Sequence, residues 1–256
     1  MISSKPYQTA LRSIRLPGQQ PLTLYTLLDR QQYHDPTGAA KRLGICSAAW
    51  PLFGMLWPSG VLLAKKMAKS SVVPGQRILE IGCGLALASL VAHRMGRNVT
   101  ASDRHPMAGR FLSKNLAQNR LPAMVYRYGQ WGRDEPVSLA DTGAPMLSER
   151  YDLVMGSDLL YEPGSPAEVA QFIHEHAAAR SEVWLTDANR GYRNQFSRHM
   201  AEYGFSLVKD QKIQRLLAYD SVEAPKPYSG RFLLYRRSLS PLSAPTFTKA
   251  RMRFCL

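Results

Sequence analysis

Short apolar runs alternate with amphipathic stretches through most of the chain. Arg77–Ile81, Asn98–Ala101, Ala123–Tyr128, Tyr151–Gly156 and Glu182–Thr186 are brief and almost wholly apolar. Between them, Leu85–Met95, Pro106–Asn119, Pro166–Ala179 and Tyr192–Tyr203 show helical spacing, and an earlier helix starts at Pro58-Ser59 and runs to Ser70. Short apolar strands separated by helices predict a parallel sheet covered on both faces. The ending differs. Phe205–Ile213 and Arg231–Arg236 are strand-like, with only Pro225, Pro227, Ser229 and Gly230 as punctuation between them. Two strands without a crossover helix must pair antiparallel. The expected fold is α/β: a Rossmann-like, doubly wound, mostly parallel seven-stranded sheet closed by an antiparallel C-terminal hairpin. Gly132–Glu149, with Pro136, Gly143 and Pro145, reads as a loop.

Residues 1–56 fall outside that alternation. Ile14–Leu16 and Leu22–Leu24 alternate apolar and polar about Pro17-Gly18, which predicts a hairpin. The first acid is Asp29, so Lys5, Arg12 and Arg15 give the start a faint transit-peptide look. An aromatic run, Trp50 to Trp57, leads into the first helix. The organisation expected is a 1–56 extension packed on a cofactor cleft, a core domain over 57–237, and a basic tail over 238–256.

Charge and cysteine narrow the partners. The 256 residues carry a formal net charge of +14, and after Glu223 no acid follows while Lys226, Arg231, Arg236, Arg237, Lys249, Arg251 and Arg253 do. Such a balance suits an acidic protein patch, RNA or a ribosome, and equally a basic surface kept for solubility. Cys46, Cys83 and Cys255 are too scattered for a disulfide framework or a zinc cluster. His174 and His176, two apart on a helix, diverge, so no metal is expected. No apolar run approaches the ~20 residues that span a bilayer. A cytoplasmic protein without a membrane partner is the expectation.

The chemistry concentrates at strand ends. Arg77-Ile78-Leu79-Glu80-Ile81-Gly82-Cys83-Gly84-Leu85-Ala86 passes from strand through a glycine turn into a helix. Gly82 and Gly84 let a ligand approach the backbone at the helix N-terminus. A dinucleotide fingerprint needs glycine at 87, where Leu87 stands. Glu80 would oppose a pyrophosphate but suits a cationic ligand. The spacing resembles the E-x-G-x-G-x-G loop of class I methyltransferases, with Ala86 in place of the last glycine. Asp103 follows Gly82 by 21 residues at the end of the next strand, where a carboxylate can accept both ribose hydroxyls. Capping of the helix behind His105-Pro106 is compatible with that role. Trp131, past the third strand, offers an aromatic face to adenine, or a ring to the core.

The fourth strand ends in Gly156-Ser157-Asp158-Leu159-Leu160-Tyr161. This D-x-x-Y motif resembles that of the seven-strand protein lysine methyltransferases, and Leu56-Trp57-Pro58-Ser59-Gly60 is similar to the Trp-containing segment before that family's first core helix. The resemblance covers about Trp57 to Thr186 and the closing hairpin. It implies S-adenosyl-L-methionine as cofactor, bound by Trp57, Glu80, Gly82, Gly84, Asp103, Trp131 and Asp158. It implies catalysis by Asp158 and Tyr161, the first holding the incoming ammonium, the second walling the transfer channel or binding the amine. A capping role for Asp158 ahead of Pro163–Pro166 would leave Tyr161 unexplained. The resemblance leads to a protein-lysine N-methyltransferase. Two alternatives stay open: a small-molecule N-methyltransferase of the nicotinamide type, and a nucleic-acid-associated module that only binds the cofactor. No N-P-P-Y or D-P-P-Y follows the fourth strand, which counts against nucleobase chemistry.

Overall fold

The computed structural model describes residues 7–132, 136–217 and 226–238. Seven strands form the central sheet: β3 (Arg77–Ile81), β4 (Asn98–Asp103), β5 (Val125–Tyr128), β6 (Tyr151–Ser157), β7 (Ala177–Asp187), β8 (Ser206–Leu217) and β9 (Lys226–Arg237). Their order is β5-β4-β3-β6-β7-β9-β8. The first five run parallel, and β9 pairs antiparallel with both β7 and β8. The anticipated closing hairpin is therefore present. Helices α2 (Pro58–Ala68), α3 (Leu87–Arg94), α4 (Ala108–Gln118), α6 (Ser165–His176) and α7 (Arg193–Glu202) cover the sheet, while α1 (Ala39–Arg42) and α5 (Leu139–Thr142) are single turns.

Alternation along the strands divides the core. Ile78, Met155 and Trp184 pack with α2 and α3, whereas Leu79, Ile81, Val154 and Val183 pack with α6 and α7. Chain order reverses beside β3, with β4 on one side and β6 on the other. In open α/β sheets that reversal leaves a crevice at the carboxyl ends of the strands. Glu80 and Asp158 flank it from adjacent strands.

Several boundaries differ from the sequence expectation, and three differences have a clear cause. Helix α3 starts at Leu87 because Ala86 is left-handed, with φ 56°. Helix α6 stops at His176, and Ala177 already pairs with Tyr151 in the sheet. The 132–149 stretch contains α5, whose N-cap Ser138 accepts the Asp141 N–H at 3.1 Å. The His174–His176 pair diverges as anticipated: His174 stacks on Tyr203, and His176 packs on Phe172.

The N-terminal hairpin forms around Pro17-Gly18, joining β1 (Thr9–Leu16) to β2 (Gln19–Leu27). It belongs to a separate two-stranded sheet. The outer edge of β2 is met by two asparagines, Asn115 of α4 and its C-cap Asn119, rather than by a strand. Asn115 Oδ1 accepts the Tyr25 N–H at 2.7 Å, and Asn119 Oδ1 accepts the Thr23 N–H at 2.9 Å. Their amide groups return hydrogen bonds to the Tyr25 and Thr23 carbonyls at 3.3 and 2.8 Å. The periods match: four helical residues rise about 6 Å and two strand residues about 6.8 Å. The basic tail from 239 onward and residues 218–225 lie outside the described residues.

Candidate functional site

A cavity of about 320 Å³ opens at the carboxyl ends of β3, β4 and β6. One wall is the N-terminal segment, with Phe53, Leu56 and Trp57; the other is built from the strand ends. Every residue singled out from sequence, namely Trp57, Glu80, Gly82, Gly84, Asp103, Trp131, Asp158 and Tyr161, lines it.

The loop after β3 is tight. Gly82 and Gly84 have φ of 55° and 52°, which an L side chain adopts at a cost. A Cβ on Gly84 would come within 2.8 Å of the Phe53 carbonyl oxygen, and one on Gly82 within 2.6 Å of Leu159. Backbone angle requires glycine at both, and at Gly84 the fixed Phe53 backbone leaves no space for a side chain. Ala86 takes the third left-handed position and supplies no side-chain cap to α3. Glu80 supplies it instead. Its Oε2 accepts the Ser89 N–H at 2.7 Å and the Ser89 hydroxyl at 2.5 Å, satisfying an amide of the first helical turn. Burial pushes the Glu80 carboxyl up to about 7, against the Ser89 hydrogen bonds.

Asp103 ends β4 and is also spent on the frame. Its Oδ2 accepts the Gly84 N–H at 2.7 Å, and its Oδ1 accepts the His105 N–H at 2.8 Å. Burial raises its pKa, and these two amides oppose the shift. Next to it lies a residue that sequence reasoning passed over. His105 is buried, stacked on Phe53 at 3.8 Å between centroids, and accepts the Met107 N–H on Nδ1. Its Nε2 has no hydrogen-bond partner among the described residues. Burial and the neighbouring Arg104 drive its pKa down to about 3, so the ring is neutral and, with Nδ1 accepting, Nε2 carries the proton.

The aromatic walls have structural partners of their own. Trp57 Nε1 donates to the Leu52 carbonyl at 2.9 Å, and the Arg30 guanidinium lies 4.7 Å from the ring centre. Trp131 meets Phe172 edge-on at 5.5 Å, so it both packs on the core and faces the cavity.

The β6 end is arranged differently. Asp158 is left-handed, φ 53°, and its N–H donates to the Thr186 carbonyl at 2.9 Å. Its Oδ1 accepts a hydrogen bond from Arg190 Nη1 at 3.2 Å. Burial raises the Asp158 pKa, with the Arg190 charge the foremost opposing influence. Tyr161 stands at the mouth with 43% exposure. Behind Asp158, the Ser59 hydroxyl bonds the Tyr228 hydroxyl at 2.6 Å, and Tyr228 donates to the Asp187 carbonyl at 3.3 Å. Arg190, Ser59 and Tyr228 were not assigned to the site from sequence. They come from three separate elements, and no local spacing marks them. The His105-Pro106 dipeptide after Asp103 was the one available signal for His105.

The family model described as lysine methyltransferase matches residues 52–203, from the aromatic wall through α7. The chain belongs to this family. Curated relatives include the protein N-lysine methyltransferase METTL21A of Danio rerio, 32% identical over 47% of this chain and 50% of the relative. The histone-arginine methyltransferase METTL23 of Rattus norvegicus is 31% identical over 43% of this chain and 48% of the relative. The matched part thus spans about half the length of these relatives. Among solved structures, a methyltransferase from Pyrococcus furiosus superposes with a TM-score of 0.50 at 16% identity, over 68% of this chain and 81% of that one. A magnesium protoporphyrin IX methyltransferase from Synechocystis gives 0.50 at 17% identity, over 70% and 78%. These two establish the fold. The Synechocystis enzyme is solved with S-adenosyl-L-methionine bound.

Proposed function

We propose that this chain transfers a methyl group from S-adenosyl-L-methionine to the side-chain nitrogen of a protein lysine. The observation that carries the reading is one cavity with two ends. The Gly82–Gly84 loop and Asp103 form its closed end, and Asp158 with Tyr161 forms the end that reaches solvent. The closed end fits the cofactor. Two glycines leave the backbone bare, and His105 holds a buried N–H with no partner. Asp103 would receive the ribose, Trp131 and Trp57 would flank the bound molecule, and Asp158 would close the site on the substrate side. Glu80 acts by fixing the loop through Ser89.

When bound, the cofactor supplies a methyl group on a positively charged sulfur. The protein's contribution is alignment. Asp158 sits where a charge-assisted hydrogen bond can hold the lysine nitrogen, and the Tyr161 hydroxyl can orient it from the mouth. The 1–56 extension forms a wall of this cleft, and 57–237 is the catalytic domain. An acidic protein target suits the +14 charge. Cys46 and Cys83 are free thiols, which fits a cytoplasmic setting.

The test is direct. The protein is incubated with methyl-labelled cofactor and a hypomethylated lysate, and labelled protein is hydrolysed to amino acids. Label in methyl-lysine is expected. Label in methyl-arginine, in RNA, or in the small-molecule fraction would overturn the lysine assignment.

A further inference from the structure

The carboxylate that would receive the amine already holds a cation. Asp158 accepts from Arg190 at 3.2 Å, and both side chains line the cavity. The acid is the inner partner, with its side chain 11% exposed against 38% for the arginine. An amine arriving from solvent therefore meets the guanidinium beside the carboxylate, not a bare acid. Arg190 is also held from behind. Asn189 and Gly191 on either side of it are left-handed, the Asn189 N–H donates to Asp187 Oδ2 at 2.7 Å, and Asn189 Oδ1 accepts from Arg231 at 3.3 Å.

We infer that Arg190 is a positioning residue that neutralises Asp158, so that the substrate amine sheds its proton on entering and stays uncharged beside the acid. The inference rests on the lysine reading above. A free lysine amine titrates near 10.4 and is an ammonium at neutral pH, with no lone pair to react. A lone buried carboxylate would hold it in that form, since an opposite charge within a few ångströms favours the ionised state. The Asp158–Arg190 pair has no net charge, and the guanidinium repels a second cation. The proton leaves to bulk water through the open mouth, and the nitrogen keeps its electron pair. The remaining groups point the same way. Behind Asp158 on β7, Asp187 is pushed up by burial and by the Asp158 charge, and the Arg190 and Arg231 charges oppose that shift. Tyr228 of β9, pushed up to about 12 by burial, is neutral. Around Tyr161, Glu162 is a further acid and Arg104 a further cation.

The test compares wild type with Arg190→Gln and Arg190→Lys. In the cofactor-free protein, the Asp158 side-chain carboxyl is titrated by carbon-13 NMR. Arg190→Gln should move its titration to higher pH, and Arg190→Lys should restore most of the difference. An unmoved titration would mean the pair does not form in solution and would overturn the inference. The second measurement uses the lysate protein labelled by wild type, purified as substrate. If ammonium is trapped beside an unneutralised Asp158, it binds tightly and unproductively. At pH 7, kcat and KM should then fall together by about ten-fold in Arg190→Gln, one pKa unit of trapping, with kcat/KM nearly unchanged and kcat recovering at alkaline pH. A fall in kcat/KM with no pH recovery would sink the inference while leaving lysine methylation intact. Absence of methyl-lysine with wild type would instead remove the lysine reading itself.

Discussion

The two ends of the cavity hold their carboxylates by different means. Glu80 and Asp103 accept hydrogen bonds from Ser89, Gly84 and His105, mostly backbone amides of neighbouring turns. Asp158 takes a side-chain cation, Arg190, from a loop 32 residues away, beside hydrogen bonds from the Ser59 side chain and the Ala188 backbone. Backbone partners cannot leave without unfolding a turn, whereas a guanidinium can be displaced or replaced. The closed end is thus part of the frame, and the open end is an adjustable charge pair. The contrast teaches that an acid lining a site is not by that fact free for ligand: at the closed end the same oxygens also organise the loop that makes the site.

Asp103→Ala puts the largest load on this distinction. It should weaken cofactor binding and destabilise the fold together, because two backbone N–H groups lose an ionised acceptor worth on the order of 1.5–3 kcal/mol each. A melting temperature lower by roughly 5–10 °C is expected beside the loss of affinity in calorimetry. Unchanged melting would show that Asp103 serves ligand alone, and the contrast would collapse. Asp158→Asn should do the opposite. Asn tolerates the left-handed backbone, so melting should stay within about 2 °C, while misplacement of the amine lowers turnover by about 100-fold. Tyr161→Phe should behave likewise, with kcat and kcat/KM falling together if the hydroxyl acts only in the transition state.

Much of this division was legible in the sequence, and the missing part has a physical reason. The ends of β3 were evident because Ile78, Leu79 and Ile81 form a short apolar run and Gly82 breaks it. Asp103 and Asp158 could be placed because each ends a strand and each carries a spacing to Gly82 or Tyr161. The start of β7 was not legible. Ala177-Ala178-Ala179 has the best helical propensity available, and pairing of Ala177 with Tyr151 overrode it. Arg190 was invisible for a similar reason: its partner is set by how β6 and β7 lie together, which no local pattern encodes. His105 sat in view beside Asp103, but only burial shows that its Nε2 lacks a partner.

A subtler effect follows from the pH dependence of the frame. The Glu80 carboxyl is raised to about 7 in the folded protein, above its ordinary value near 4.5. Between those values the folded state binds the proton more tightly than the unfolded chain, so stability falls as pH rises, and the loss is complete above about 7. Glu80→Gln removes the titration and keeps an acceptor for Ser89. The wild-type melting temperature should therefore drop relative to this variant from pH 5 to 8; parallel curves would refute the burial of charge at Glu80. The smallest effect is expected at Ala86. Its left-handed backbone costs an alanine about 1–2 kcal/mol, partly offset in glycine by unfolded-state entropy. Ala86→Gly should raise melting by only about 1–3 °C.

The asparagine pair on α4 bears on how the cavity wall is assembled. A two-stranded hairpin has little stability alone, and its outer amides are tied to a helix 90 and 96 residues away in sequence. Lifting the hairpin off the body therefore breaks these amide bonds together with the burial of Ile14, Leu22 and Leu24. Hydrogen exchange at the Thr23 and Tyr25 amides would time that departure, since each leaves its asparagine oxygen whenever the hairpin lifts. Because the chain that follows the hairpin supplies Phe53, Leu56 and Trp57 to the cleft, a molecule gripped there would slow exchange at amides on the far side of α4. Two side-chain amides thereby make the occupancy of the cleft readable at a distance.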